Sequence, residues 1–241
     1  MSNGVGVVIP AGGSGSRMAE PGAPSKQFRS LGGAPVLVQT LRAFARHPDV
    51  GPLVVAVPAG QEAPTVEMLR AFDLVAAVVT GGATRQASVA AGVRALAADV
   101  EVVLVHDAVR PFVSRSVIAS VVAAARQHGA AATAVPVADT LRQGGRGPLF
   151  GETVSRDGLW AMQTPQAVRR DWLLRAAANA SGFMATDEVG LLQHDGRAVW
   201  IVEGEAQNVK LTRPADWALA EALWTAWEQS ETPIDGSSSE S

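Results

Sequence analysis

The sequence predicts an α/β fold of Rossmann-like design, a mostly parallel twisted sheet with helices on both faces. Short β-branched apolar runs recur along the chain, each leads through a loop into a helix-like stretch, and the first of those loops is crowded with glycine. Strands that read as near-continuous apolar runs are buried on both faces, a setting that parallel sheets with helical crossovers provide.

The runs are Val5 to Ile9, Leu53 to Val57, Val75 to Val79, Val102 to Val105 and Ala131 to Val135. Helices are expected over Pro35 to Ala45, Thr84 to Ala97 and Ser114 to Gln127. In the last, Ser114 suits a cap, and Val117, Val121 and Ala124 repeat at helical spacing. After Pro136 the pattern changes: Gly144, Gly145, Gly147, Pro148 and Gly151 interrupt the stretch from Asp139 to Trp160, which predicts an arm or hairpin leaving the sheet. A helix at Arg169 to Asn179, a short one at Asp187 to His194, a strand at Ala198 to Val202 and a final helix from Pro214 to about Trp227 complete the reading. Pro214 suits a first-turn position and Thr212 a nearby cap. Trp217, Trp224 and Trp227 share one helical face, while Trp160 and Trp172 read as packing residues. Residues 1–228 are expected to form one domain with the arm at about 139–160. Residues 229–241, rich in Ser, Glu and Asp, are expected to be a disordered acidic tail.

Composition removes whole classes of chemistry. The 241 residues include no cysteine, which excludes disulfides, thiolate metal sites and thiol nucleophiles. His47, His106, His128 and His194 show no zinc-binding spacing, and His106, alone after an apolar strand, reads as structural. A net charge of −3 gives no global basic field, so no nucleic-acid partner is expected. No apolar run reaches membrane length, and Val5 to Ile9 is too short for a signal-peptide core. A cytoplasmic protein without a membrane partner is the expectation.

Positive charge must then be concentrated locally, and the segment after the first strand does this: Pro10, Ala11, Gly12, Gly13, Ser14, Gly15, Ser16 and Arg17, with Lys26 downstream. Glycines after a buried strand allow close backbone approach and turn N–H groups toward anionic oxygens, while Arg17 and Lys26 add mobile charge. In open parallel sheets ligands gather at this end of the strands. The segment is neither a Walker loop, since no Lys follows a Gly, nor a dinucleotide fingerprint, since Met18 stands where the third glycine belongs. A purely structural glycine turn is the alternative, and the added Arg17 and Lys26 argue against it.

Further along the chain lie GGATRQASVAAG (Gly81 to Gly92), HDAVRPFV (His106 to Val113), AVPVADTL (Ala134 to Leu141), TVSRDGLWAMQTPQ (Thr153 to Gln166), ATDE (Ala185 to Glu188) and GEAQNVKLTRPAD (Gly204 to Asp216). Together with PAGGSGSRM and SKQF these ordered motifs resemble the 2-C-methyl-D-erythritol 4-phosphate cytidylyltransferases, from Val7 to about Leu223. The chain departs from the family pattern in a longer interval between Arg17 and Lys26, in Val109, and in DEVGLLQ.

The resemblance implies a nucleotidyltransferase fold and a magnesium-dependent transfer of the cytidylyl group from CTP to 2-C-methyl-D-erythritol 4-phosphate, releasing pyrophosphate, in non-mevalonate isoprenoid synthesis. It also implies a homodimer whose exchanged arm reaches the neighbouring site. Arg17 and Lys26 would stabilise the transition state, and Arg156 and Lys210 would position the acceptor phosphate. Pro10, Ala11, Gly12, Gly13, Gly15, Gly81, Gly82, Arg85, Ser88 and Ala108 would hold the nucleotide. Asp107, Arg110, Thr140 and Thr186 would join Arg156 and Lys210 around the acceptor. Magnesium would ride mostly on the triphosphate, with Asp107 the candidate carboxylate near it; a turn-capping Asp107 is the alternative. A phosphate monoester is already largely a dianion at neutral pH, so the motifs need no general base. Acceptors such as ribitol 5-phosphate, sugar 1-phosphates, and a catalytically idle nucleotide-binding module remain as rival readings.

Overall fold

The computed structural model describes residues 4–12 and 25–231. A seven-stranded sheet runs through the described residues, built from Val5–Pro10 (β1), Leu53–Val57 (β4), Ala77–Thr80 (β5), Val102–Val105 (β6), Ala130–Pro136 (β7), Trp160–Arg169 (β10) and Trp200–Glu203 (β11). Its order is β11-β7-β10-β6-β1-β4-β5. All pairings are parallel except those of β10, which runs antiparallel to β6 and β7. The expectation of a mostly parallel α/β sheet therefore holds.

Alternation along the strands assigns the two faces. Val5, Val7 and Ile9 of β1 join Val102 and Leu104 of β6 in one core, against Leu37, Leu41 and Phe44 of Val36–Ala45 (α1) and Ile118 and Val121 of Arg115–His128 (α4). Val8, Val103 and Val105 point the other way, onto Val89 and Val93 of Arg85–Ala95 (α3), Leu173 of Arg170–Asn179 (α5) and Leu192 of Glu188–His194 (α6). Burial decides local structure here. Each β-branched residue costs α4 up to about 0.7 kcal/mol of helix propensity, whereas burying its side chain contributes about 1.5–3 kcal/mol. On α3, Gly92 lets the helix lie close to β1, since a Cβ there would come within 2.4 Å of Val8 Cγ1.

A third, smaller core lies beyond the sheet. Leu31 of Ser30–Leu31 (β2), which pairs with Ala34–Pro35 (β3), packs with Phe112, Leu211 and Trp217 of Pro214–Glu231 (α7). Trp224 and Trp227 flank Phe112, so the three tryptophans do share a face.

Several boundaries differ from the sequence reading. α3 and α4 begin at Arg85 and Arg115, one residue inside the expected spans; Thr84 caps α3, and Ser114 caps α4 as expected, accepting from the N–H groups of Ala87 and Val117. Val75 is 92% exposed, because pairing with β4 begins only at Ala77. The strand expected from Ala198 starts at Trp200, where pairing with Ala131 of β7 begins. Glu62–Arg70 (α2) went unpredicted; of its residues only Thr65 and Leu69 are buried, too few to mark a period. Thr212 does not cap α7; the Asp216 carboxylate does, accepting from the N–H groups of Thr212 and Arg213 and from the Thr212 hydroxyl. The same helix continues to Glu231, so residues 229–231 of the expected disordered tail are helical; 232–241 lie outside the described residues.

The arm contains a small antiparallel pair, Leu141–Gly144 (β8) and Phe150–Val154 (β9), separate from the main sheet. The largest departure from expectation lies just beyond this pair. Trp160 begins β10, so strand and not arm occupies 160–169, and Trp160 is 36% exposed rather than packed. Pro165 and the polar Gln163, Thr164 and Gln166 concealed this strand, yet all three polar residues are buried. Among the described residues no helix is long and apolar enough to cross a membrane.

Candidate active site

Strand order locates the cleft. From β1 the chain moves outward to β4 and β5, then returns to β6 on the other side of β1, so the loops after β1 and β6 diverge and leave a crevice. Pro10 ends β1 on one side of it, followed by Ala11 and Gly12; Asp107, Ala108 and Val109 follow β6 on the other. Together with Lys26, Gly82, Arg85, Ser88 and Lys210 they line a cavity of about 300 Å³.

Each wall is held by identifiable bonds. Lys26 opens a short 3₁₀ turn, Lys26–Phe28, which Gln27 ties to the end of β1 by donating its side-chain amide to the Ala11 carbonyl at 2.9 Å. On the α3 side, the Ser88 hydroxyl accepts from the Gly82 N–H at 3.2 Å and lies within reach of the Thr84 carbonyl at 2.9 Å, which staples the loop to the helix start. Gly81 stands behind this wall, its N–H donating to Val57, and a Cβ there would meet Ser88 Oγ at 2.7 Å. Glycine at 81 thus makes room for the Ser88 hydroxyl.

A second cavity of about 190 Å³ adjoins the first through the shared Arg85, Asp107 and Lys210. Its other walls include Arg110, Thr164, Gln166, Thr186 and Asp187. The Met162–Gln166 irregularity of β10 supplies several of these: a shifted register against β7 turns Thr164 toward the cleft, where its hydroxyl accepts from the Asp107 N–H at 3.1 Å.

Asp107 sits at the junction. Its Oδ2 lies 2.8 Å from Lys210 Nζ and 3.3 Å from Arg110 Nε, and its Oδ1 lies 3.6 Å from Arg85 Nε. Burial opposes its charge, but Lys210 and Arg85, then Arg110, outweigh that and hold the carboxyl well below the usual range. Lys210 is reached by a peptide segment that Leu211 pins to Val109 through a backbone bond of 3.0 Å, and its side chain remains 41% exposed. Arg110 is clamped from behind, donating to the Asn208 carbonyl at 2.7 Å, and the 106–110 turn is closed by His106 Nε2 against the Arg110 carbonyl at 2.9 Å. His106 is fully buried and burial pushes its pKa down to about 4, in keeping with the structural role expected of it.

One chain thus gathers Pro10, Ala11, Gly12, Lys26, Gly82, Arg85, Ser88, Ala108, Asp107, Arg110, Thr186 and Lys210 around two adjoining cavities. Thr140 and Arg156 line neither; both are exposed on or beside the arm, and Arg156 donates to the Ala138 carbonyl. Gly13, Gly15 and Arg17 lie outside the described residues. Sequence reasoning did not single out Glu188, Gln166 or Asn208. Glu188 is buried and pairs with Arg85 through two bonds of 2.8 and 3.0 Å. Gln166 Oε1 accepts from the Glu188 and Val189 N–H groups, and the Asn208 amide bridges to the Thr164 carbonyl. A carboxylate next to the apolar Val189, Leu191 and Leu192 was the available signal for Glu188.

The donor set bears on metal binding. Both Asp107 oxygens face cationic side chains, and among the described residues no group of three or more His, Cys, Asp or Glu could hold an ion. These surroundings fit Asp107 as an anchor for cations and not as a metal ligand.

Comparison with known proteins shows the family and agrees with the fold. Residues 5–226 match the profile of the 2-C-methyl-D-erythritol 4-phosphate cytidylyltransferases. Curated relatives under that name include one from Salinibacter ruber, 51% identical and covering 98% of this chain and 99% of its own, and one from Symbiobacterium thermophilum, 43% identical and covering 91% and 92%. A solved 2-C-methyl-D-erythritol 4-phosphate cytidylyltransferase from Thermus thermophilus superposes with a TM-score of 0.77 at 41% identity, covering 90% of this chain and 97% of that one. A 4-diphosphocytidyl-2C-methyl-D-erythritol synthase from Anaerococcus prevotii gives 0.79 at 29%, covering 93% and 98%.

Proposed function

We propose that this chain, which belongs to the 2-C-methyl-D-erythritol 4-phosphate cytidylyltransferase family, transfers the cytidylyl group of CTP to 2-C-methyl-D-erythritol 4-phosphate. The products are 4-diphosphocytidyl-2-C-methyl-D-erythritol and pyrophosphate. The observation that carries the reading is the pair of adjoining cavities joined by Arg85, Asp107 and Lys210, one against the glycine-bearing end of β1 and the other against Thr186. Two anionic substrates need such a double site with its cations at the junction.

In this reading the acceptor phosphate oxygen attacks the α-phosphorus of CTP, the bond from that phosphorus to the β-bridging oxygen breaks, and pyrophosphate leaves. The attacking phosphate is already ionised, so the work of the site is to hold two anions together and stabilise charge on the α-phosphate. Lys26 and Arg17 take the triphosphate side; Gly82 and Ser88 present the cytosine wall, with Gly81 making room behind Ser88. Lys210 and Arg110, oriented by Asp107, face the acceptor. The triphosphate held beside Lys26 would carry a magnesium ion, which would supply further neutralising charge there. Thr140 and Arg156 reach an acceptor from a second copy of the chain, which makes the active species a homodimer exchanging arms.

The test is to incubate purified protein with magnesium, CTP and 2-C-methyl-D-erythritol 4-phosphate and follow pyrophosphate, with ATP, GTP, UTP and ribitol 5-phosphate as controls. Release with CTP and the methylerythritol phosphate alone is expected. A requirement for ribitol phosphate would overturn the acceptor, and silence from folded protein with every pair would overturn the activity.

A further inference from the structure

Arg85 lines both cavities, although its own helix, α3, belongs to the nucleotide wall. What holds it across the boundary is Glu188 at the start of α6, on the acceptor wall. The carboxylate accepts from Nη1 at 2.8 Å and Nη2 at 3.0 Å, leaving Nε directed at Asp107 Oδ1, 3.6 Å away. A guanidinium can fork in this way and an ammonium cannot. Glu188 is only 2% exposed and is fixed in turn by Gln166, whose Oε1 accepts from its N–H at 2.9 Å. No substrate contact is needed for so costly a buried charge pair to matter; its effect is to tie the N-termini of α3 and α6 together beneath both subsites.

We propose that Glu188 is a positioning residue which, through Arg85, couples binding in the nucleotide cavity to binding in the acceptor cavity. Loss of the Glu188 charge frees Arg85 to turn fully onto Asp107, where it competes with Lys210 at 2.8 Å. Each ligand then no longer prepares the other's wall. This rests on the two-substrate reading above.

The experiment measures affinity for α,β-methylene CTP, which cannot transfer its cytidylyl group, by calorimetry with and without saturating 2-C-methyl-D-erythritol 4-phosphate. In the unmodified protein the acceptor should tighten the analogue by about tenfold, and the reverse measurement must give the same factor. In Glu188→Gln that factor should fall to within about twofold of unity, while the analogue alone binds within about threefold of normal. A merely structural Glu188 would weaken both ligands and leave the factor intact; that result, or the absence of coupling in the unmodified protein, overturns the inference. Should Glu188→Gln fail to fold, Arg85→Lys decides: it keeps a charge but cannot fork, so a retained factor again overturns the proposal. Pyrophosphate release by the unmodified protein, measured alongside, separates this outcome from failure of the functional reading.

Discussion

The floor of the cleft and the arm both carry charged residues assigned to the proposed site, but they hold them in opposite ways. On the floor, Asp107 is buried and faced by Arg85, Arg110 and Lys210, its own N–H donates to Thr164, and the Asn208 carbonyl accepts from Arg110. On the arm, Arg156 and Thr140 are exposed, and the bond the arginine makes is to a carbonyl of the arm's own root. A preorganised charge stabilises a transition state without reorganising; an exposed arginine must first be ordered by something else. Among the described residues, the contacts around Asp107 are made within one chain, whereas in the proposed reading a ligand or a second copy orders the arm.

Substitutions on either side put that contrast at risk. The largest effect should come from Lys26→Ala, which removes a charge from the floor and lowers turnover by at least about 100-fold. Near-normal turnover in steady-state assays would deny Lys26 its place at the transition state. Arg156→Ala should lower activity by a smaller factor of about ten to one hundred on the scale of a lost charged contact, and here the sharper readout is complementation. Heterodimers of an Arg156→Ala chain with a Lys26→Ala chain should regain activity over either variant alone, because one of their two sites combines an intact floor with an intact arm. Proven heterodimers with no recovery would mean that the arm serves its own chain.

Two smaller effects probe the framework beneath the floor. Burial holds His106 neutral in the folded protein, with its pKa at about 4 against an ordinary 6.5, so the unfolded chain takes up this proton first. Stability from this group is therefore complete above pH 6.5 and is withdrawn as pH falls toward 4, by about 2 kcal/mol at roughly pH 5. Denaturation midpoints of the unmodified protein and His106→Gln at pH 7 and roughly pH 5 should differ in slope; parallel slopes would place the acid sensitivity elsewhere. Smallest is Asp216→Ala, which strips the cap from α7 and should cost about 1 kcal/mol by chemical denaturation with little change in turnover. A large catalytic loss would mean that α7 steers Lys210 more directly than its packing indicates.

Local chemistry in the chain settled the strand–loop–helix rhythm, the two-faced burial of β1, β4 and β6, and the identity of most residues that line the cleft, because apolar alternation and glycine-plus-cation clusters are written in neighbouring positions. β10 escaped because its polar residues are buried by hydrogen bonds to distant partners: Gln166 to α6, Thr164 to Asp107. Glu188 escaped for the same reason, since a carboxylate in a short helix acquires meaning only when Arg85, 103 residues away, forks onto it. Periodicity reports what one element buries, and only the folded chain reports which charges meet. Sheet order brought β1 beside β6 and so joined Gly12 to Asp107 across one crevice, a proximity that arises from long-range strand pairing and leaves no mark on the residues between them.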